Sequence, residues 1–70
     1  MDEKLSEVEI DIIANVARGF SAPEIAEMFK IEESAVISHL LSIYQKTGLS
    51  SGLEIHNWVV ENWSGFKWNP

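Results

Sequence analysis

Seventy residues, 46% of them apolar and none of them cysteine, describe one small globular domain spanning 1–70 without disulfides or cysteine-based metal sites. No apolar run approaches the ~18 residues of a membrane span, and the opening MDEKLSEVEI lacks the basic-then-apolar order of a secretory signal, so a cytoplasmic protein is expected. The net charge of −6, from 11 acidic and 5 basic residues, argues against strong non-specific binding to nucleic acid, because that affinity comes from Lys and Arg displacing phosphate counterions.

Four helices are predicted, at about 7–18, 22–30, 33–47 and 52–63. The first opens on a capping box, Ser6 with Glu9. Leu5 and Ile10 have the spacing of a hydrophobic staple. Ile10, Ile13, Ala14 and Ala17 recur on one face, which Ile12 and Val16 widen. Arg18 and Gly19 mark its end. The second helix repeats this grammar with Ser21, Pro23 and Glu24, and Phe20 and Ile25 form its staple. Met28 and Phe29 read as core fillers.

The third helix starts less firmly, since Glu32 or Ser34 must cap it. Val36, Leu40, Ile43 and Thr47 form its core stripe. Ile37, Leu41 and Tyr44 broaden the apolar arc to ~160°, more than the ~100° that covers one core. Gly48 closes this helix, and Ser51 with Glu54 reads as a third capping box. On the fourth helix Leu53, Ile55, His56, Val59, Val60 and Trp63 cover another ~160°, with Trp58 just beyond. Asn57 and Glu61 mark its wet side. In the tail at 64–70, Phe66 and Trp68 are expected to fold back on the fourth helix or to join its partner. The short second helix, tight turn and longer third helix have the layout of a helix-turn-helix.

The residues resemble the LuxR/GerE-type helix-turn-helix domain of bacterial transcription regulators. Leu5-Ser6-Glu7-Val8-Glu9-Ile10-Asp11-Ile12-Ile13 stands where the family has L-T-x-R-E-x-E-V-L. Ala17, Gly19, Ser21, Glu24, Ile25 and Ala26 match A-x-G-x-S-x-x-E-I-A. Ile31, Glu33, Val36, His39, Ile43, Lys46, Gly48, Ser51 and Glu54 continue the pattern without a gap. The resemblance implies an all-α, four-helix domain whose third helix enters the DNA major groove and whose fourth helix pairs in a homodimer. It also implies a stand-alone version, since no sensor domain accompanies it.

The departures fall where the family contacts DNA. Glu32-Glu33-Ser34-Ala35-Val36-Ile37 replaces S-E-K-T-V-K, and His39-Leu40-Leu41-Ser42 replaces H-R-x-R. Ser50-Ser51-Gly52 replaces R-S-R, leaving Lys46 of the basic set. Losing charge-assisted phosphate contacts costs orders of magnitude in DNA affinity.

Two readings follow. The first is a small bacterial regulator acting by protein–protein interaction, an anti-activator or modulator of a LuxR-type regulator or other transcription component. Its contact face would comprise Ile37, Leu41, Tyr44, Ile55, Trp58, Val59, Asn62 and Trp63. The alternative is a dimeric DNA-binding regulator, with weak contacts from Lys30, Ser34, Ser38, His39, Ser42, Gln45 and Lys46. An enzyme is not expected, because no nucleophile stands with an arranged base and no phosphate loop is present. No cofactor is expected, and His39 and His56 lack the further ligands of a zinc site.

Overall fold

The computed structural model describes residues 5–63. Four helices follow in order: α1 (Glu7–Ala17), α2 (Ala22–Phe29), α3 (Glu33–Thr47) and α4 (Gly52–Asn62). Among the described residues there is no strand.

Local hydrogen bonding explains the helix starts. At α1 the Ser6 hydroxyl accepts from the Glu9 amide at 3.1 Å, and the Glu9 carboxylate accepts from the Ser6 amide at 2.8 Å. Ser21 and Glu24 close the same reciprocal pair at α2. Each box satisfies two amides that the first turn leaves without helical partners. At α4 only half of the box forms. The Ser51 hydroxyl accepts from the Glu54 amide at 3.2 Å. The Glu54 carboxylate reaches past Ser51 and accepts from the Ser50 amide at 2.7 Å and the Ser50 hydroxyl at 2.9 Å. As expected from its weak start, α3 has Glu32 at its N-cap and no side-chain cap.

The stops are sharp. Gly19 and Gly48 have φ of 97° and 79°, in the left-handed region that lets a chain leave a helix abruptly. Lys30 ends α2 at φ 59°, where a side chain is uncommon. α1, α2 and α4 each end one residue earlier than the sequence pattern suggests, α4 with Trp63 as its C-cap.

The core is made of Ile12, Ile13, Ala17, Ile25, Ala26, Val36, Ile43, Ile55 and Val59. Leu5, Val16, Phe20, Phe29, Leu40 and Tyr44 pack around it. α1 lies at the centre and packs against each of the other three helices, while α2 and α3 pack against each other. α4 packs against α1 alone. His56 helps fix it there, its Nδ1 lying 3.0 Å from the carbonyl oxygen of Ala17 at the end of α1.

Two expectations about the core are corrected. Ile10 is exposed, because α1 turns Glu9, Ile12, Ile13 and Ala17 inward instead. Met28 is 46% exposed, since α2 buries the neighbouring Ile25–Ala26 edge. Phe66 and Trp68 lie outside the described residues.

Candidate functional site

The outward face of α3 is the first candidate surface. Helical spacing brings Glu33, Ser34, Ile37, Ser38, Leu41 and Gln45 together there, and all six are exposed. Leu41 is 57% and Ile37 43% exposed. The face therefore offers two large apolar side chains, neutral polar groups and one carboxylate, with no cation.

The remaining expected DNA contacts do not join that face. Ser42 and Lys46 point to α1, where both meet Glu9. The Ser42 hydroxyl donates to Glu9 Oε2 at 2.8 Å, and Lys46 Nζ donates to Glu9 Oε1 at 2.8 Å. His39 is half-buried, and Lys30 is exposed at the end of α2. Seven residues expected at one interface thus divide into three exposed on α3, two drawn to Glu9, and two set apart.

Among the described residues Glu9 is the one buried charge, only 4% exposed. Its hydrogen bond from the Lys46 ammonium, then those from the Ser6 amide and the Ser42 hydroxyl, outweigh the cost of burial. They draw its carboxyl down to about 2 from an ordinary value of 4.5. The carboxylate is both the cap of α1 and the clasp between α1 and α3. The sequence pattern revealed only the capping role. The further signal was present: Glu9 lies three and four residues before Ile12 and Ile13, on the face those residues bury.

A corrected picture also emerges for α4. Ile55 and Val59, expected on an interaction face, are fully buried against α1 and offer nothing to a partner. Tyr44, Trp58 and Trp63 are half-buried, and the two indoles meet edge to face with centroids 6.0 Å apart. Asn62 is exposed, but its amide donates to the Trp58 carbonyl oxygen at 2.8 Å. The exposed apolar side chains of α4 are instead Leu53 (70%) and Val60 (58%).

With the order, caps and packing of the helices in place, comparison with known families is decisive. The family model described as "Bacterial regulatory proteins, luxR family" matches residues 3–59. The chain belongs to the LuxR family. No curated protein and no solved structure gives a significant match. Within this LuxR-family frame, α2 and α3 form the helix-turn-helix pair, and the face just described is the outward side of its second helix. Among the described residues no cluster of His, Cys, Asp and Glu is arranged to hold a metal ion, and no helix is long and apolar enough to cross a membrane.

Proposed function

We propose that this LuxR-family domain regulates transcription in the bacterial cytoplasm mainly by touching another protein, as an anti-activator or modulator of a transcription regulator. The observation that carries this reading is the uncharged-to-acidic outward face of α3, centred on Ile37 and Leu41. A helix entering the major groove needs cations beside it to hold phosphate and polar groups to read bases. Here the one cation on α3 is engaged by Glu9. Exposed Leu and Ile on a helix stripe are what a hydrophobic partner surface recognises.

The test is fluorescence anisotropy of a labelled random DNA duplex at low salt, where phosphate contacts are strongest. The natural chain is expected to give no saturable binding. The double variant Ser34→Lys with Ile37→Lys, at two exposed positions, should gain affinity and acquire a salt dependence steeper by roughly two phosphate contacts. Saturable micromolar binding by the natural chain would overturn the proposal in favour of a DNA-binding regulator.

A further inference from the structure

The exposed stripe of α3 has the same layout from either end. Glu33, Ile37, Leu41 and Gln45 follow one another at four-residue steps, so they form one ridge about 18 Å long. Its middle is apolar, with Ile37 43% and Leu41 57% exposed. Its ends are polar and unlike. Glu33 offers a carboxylate, and Gln45 offers a neutral amide with two N–H donors. Neither end group makes a side-chain hydrogen bond among the described residues. Beside the ridge run Ser34 and Ser38, both exposed and both small, and their row is the shallow groove that a neighbouring ridge needs.

We propose that this ridge pairs with the same ridge of a second copy of the chain, antiparallel about a two-fold axis level with His39. Rows spaced by four residues interlock when two helices cross at roughly −50°, and in that class the ridges themselves run side by side. The register then follows from the spacing. Each Ile37 lies against Leu41 of the other copy, and each Glu33 carboxylate accepts from the other copy's Gln45 amide, twice over by symmetry. Alternative registers are worse. A parallel pairing sets Glu33 against Glu33, and like charges repel. A slip of one step in the antiparallel pairing moves Ile37 onto Gln45 or Leu41 onto Glu33.

Other occupants fit fewer of the four positions. Nucleic acid finds no cation on the ridge, and a basic helix finds one carboxylate at one end. The proposal rests on the reading of α3 as a protein-contact face and names a second copy as its occupant. A paired copy hides the ridge, so another protein reaches it only on unpaired chains. The contact is separate from any pairing through α4, which packs against α1 and not α3. Four side chains per copy bury less than the ~1,200 Å² of a stable interface, so the pair is weak and is trapped rather than isolated.

The chain has no cysteine, so Ile37→Cys and Leu41→Cys each place a single thiol at an exposed position. The two variants are mixed in equal amounts in a thiol–disulfide buffer with ~0.15 M salt, where the −6 charges of two copies are screened beyond about 8 Å. Products are counted by mass. Random collision makes as much of the mixed dimer as of the two like-with-like dimers together. The proposed register should give about a fivefold excess of the mixed dimer, because a disulfide closes only over about 4 Å between Cβ atoms. Adding Gln45→Glu to both chains sets a carboxylate against Glu33 of the other copy and should erase the excess. Adding Glu33→Lys as well should restore it; these positions are twelve residues apart and cannot pair within one helix. Leu53→Asp in both chains, an equal added charge on α4, should leave the excess intact. A random product mixture, or an excess indifferent to Gln45→Glu, or one lost with Leu53→Asp, would overturn the proposal. Such a failure leaves the protein-contact reading of α3 to its own DNA titration.

Discussion

Replacing Glu9 by Gln isolates the charge at the centre of the domain. The amide keeps a carbonyl oxygen that can still accept from the Ser6 amide, so the α1 cap survives. What disappears is the carboxylate that Lys46 and Ser42 both hold. Drawing a carboxyl from 4.5 to about 2 corresponds to on the order of 3 kcal/mol of folding stability at neutral pH. Breaking a buried pair from one side commonly costs 3–5 kcal/mol, but the Lys46 side chain is 20% exposed and can turn to water. A loss of about 2–3 kcal/mol is therefore expected. A chain this size is typically stable by only ~4–10 kcal/mol, so Tm should fall by roughly 8–20 °C. The pH dependence gives the test its direction. The folded value is the lowered one, so the contribution is complete above the ordinary 4.5 and is lost as pH falls through it towards about 2. Urea titrations followed by circular dichroism should show the natural chain losing its advantage over the variant between pH 5 and pH 2. A gap that stays constant over that range would refute the charge argument and leave Glu9 acting through shape alone.

Two further substitutions separate core from surface. Val59→Asp places a carboxylate where no surface is exposed and should abolish the cooperative thermal transition, whereas Leu53→Asp, seventy per cent exposed on the same helix, should stay within about 0.5 kcal/mol of the natural chain. Gly48→Ala should lower stability by about 1 kcal/mol in a denaturant titration; a Cβ there meets nothing within 4 Å, so the cost arises from the backbone at φ 79° alone.

Much of the architecture was legible because its signals are local. Ser6 with Glu9, Ser21 with Glu24, and Gly48 announce helix ends through bonds that span only a few residues. What escaped depends on the far side of the molecule. Glu9 meets Ser42 and Lys46 across 33 and 37 residues, and no spacing rule carries that distance. The turn at Lys30 takes a left-handed conformation that its residue type disfavours. On α4 the apolar arc was wide enough to leave the buried edge undetermined. Ile55 and Val59 face α1, while Leu53 and Val60 stay in solvent, because α1 alone covers that helix. The outward face of α3 was partly legible for the same reason in reverse: Ile37 and Leu41 lie beyond the stripe that Val36 and Ile43 bury.

That α4 rests on α1 and on neither α2 nor α3 bears on how two ligands would sense each other. Coupling between sites needs an element whose arrangement both occupants bias. Here the path from one surface to the other runs through α1, a helix fastened to α3 by the Glu9 clasp and to α4 by buried Ile55, Val59 and the His56 contact. A partner seated on α3 would therefore be felt at α4 only by way of α1, and loosening the Glu9 clasp would cut that path.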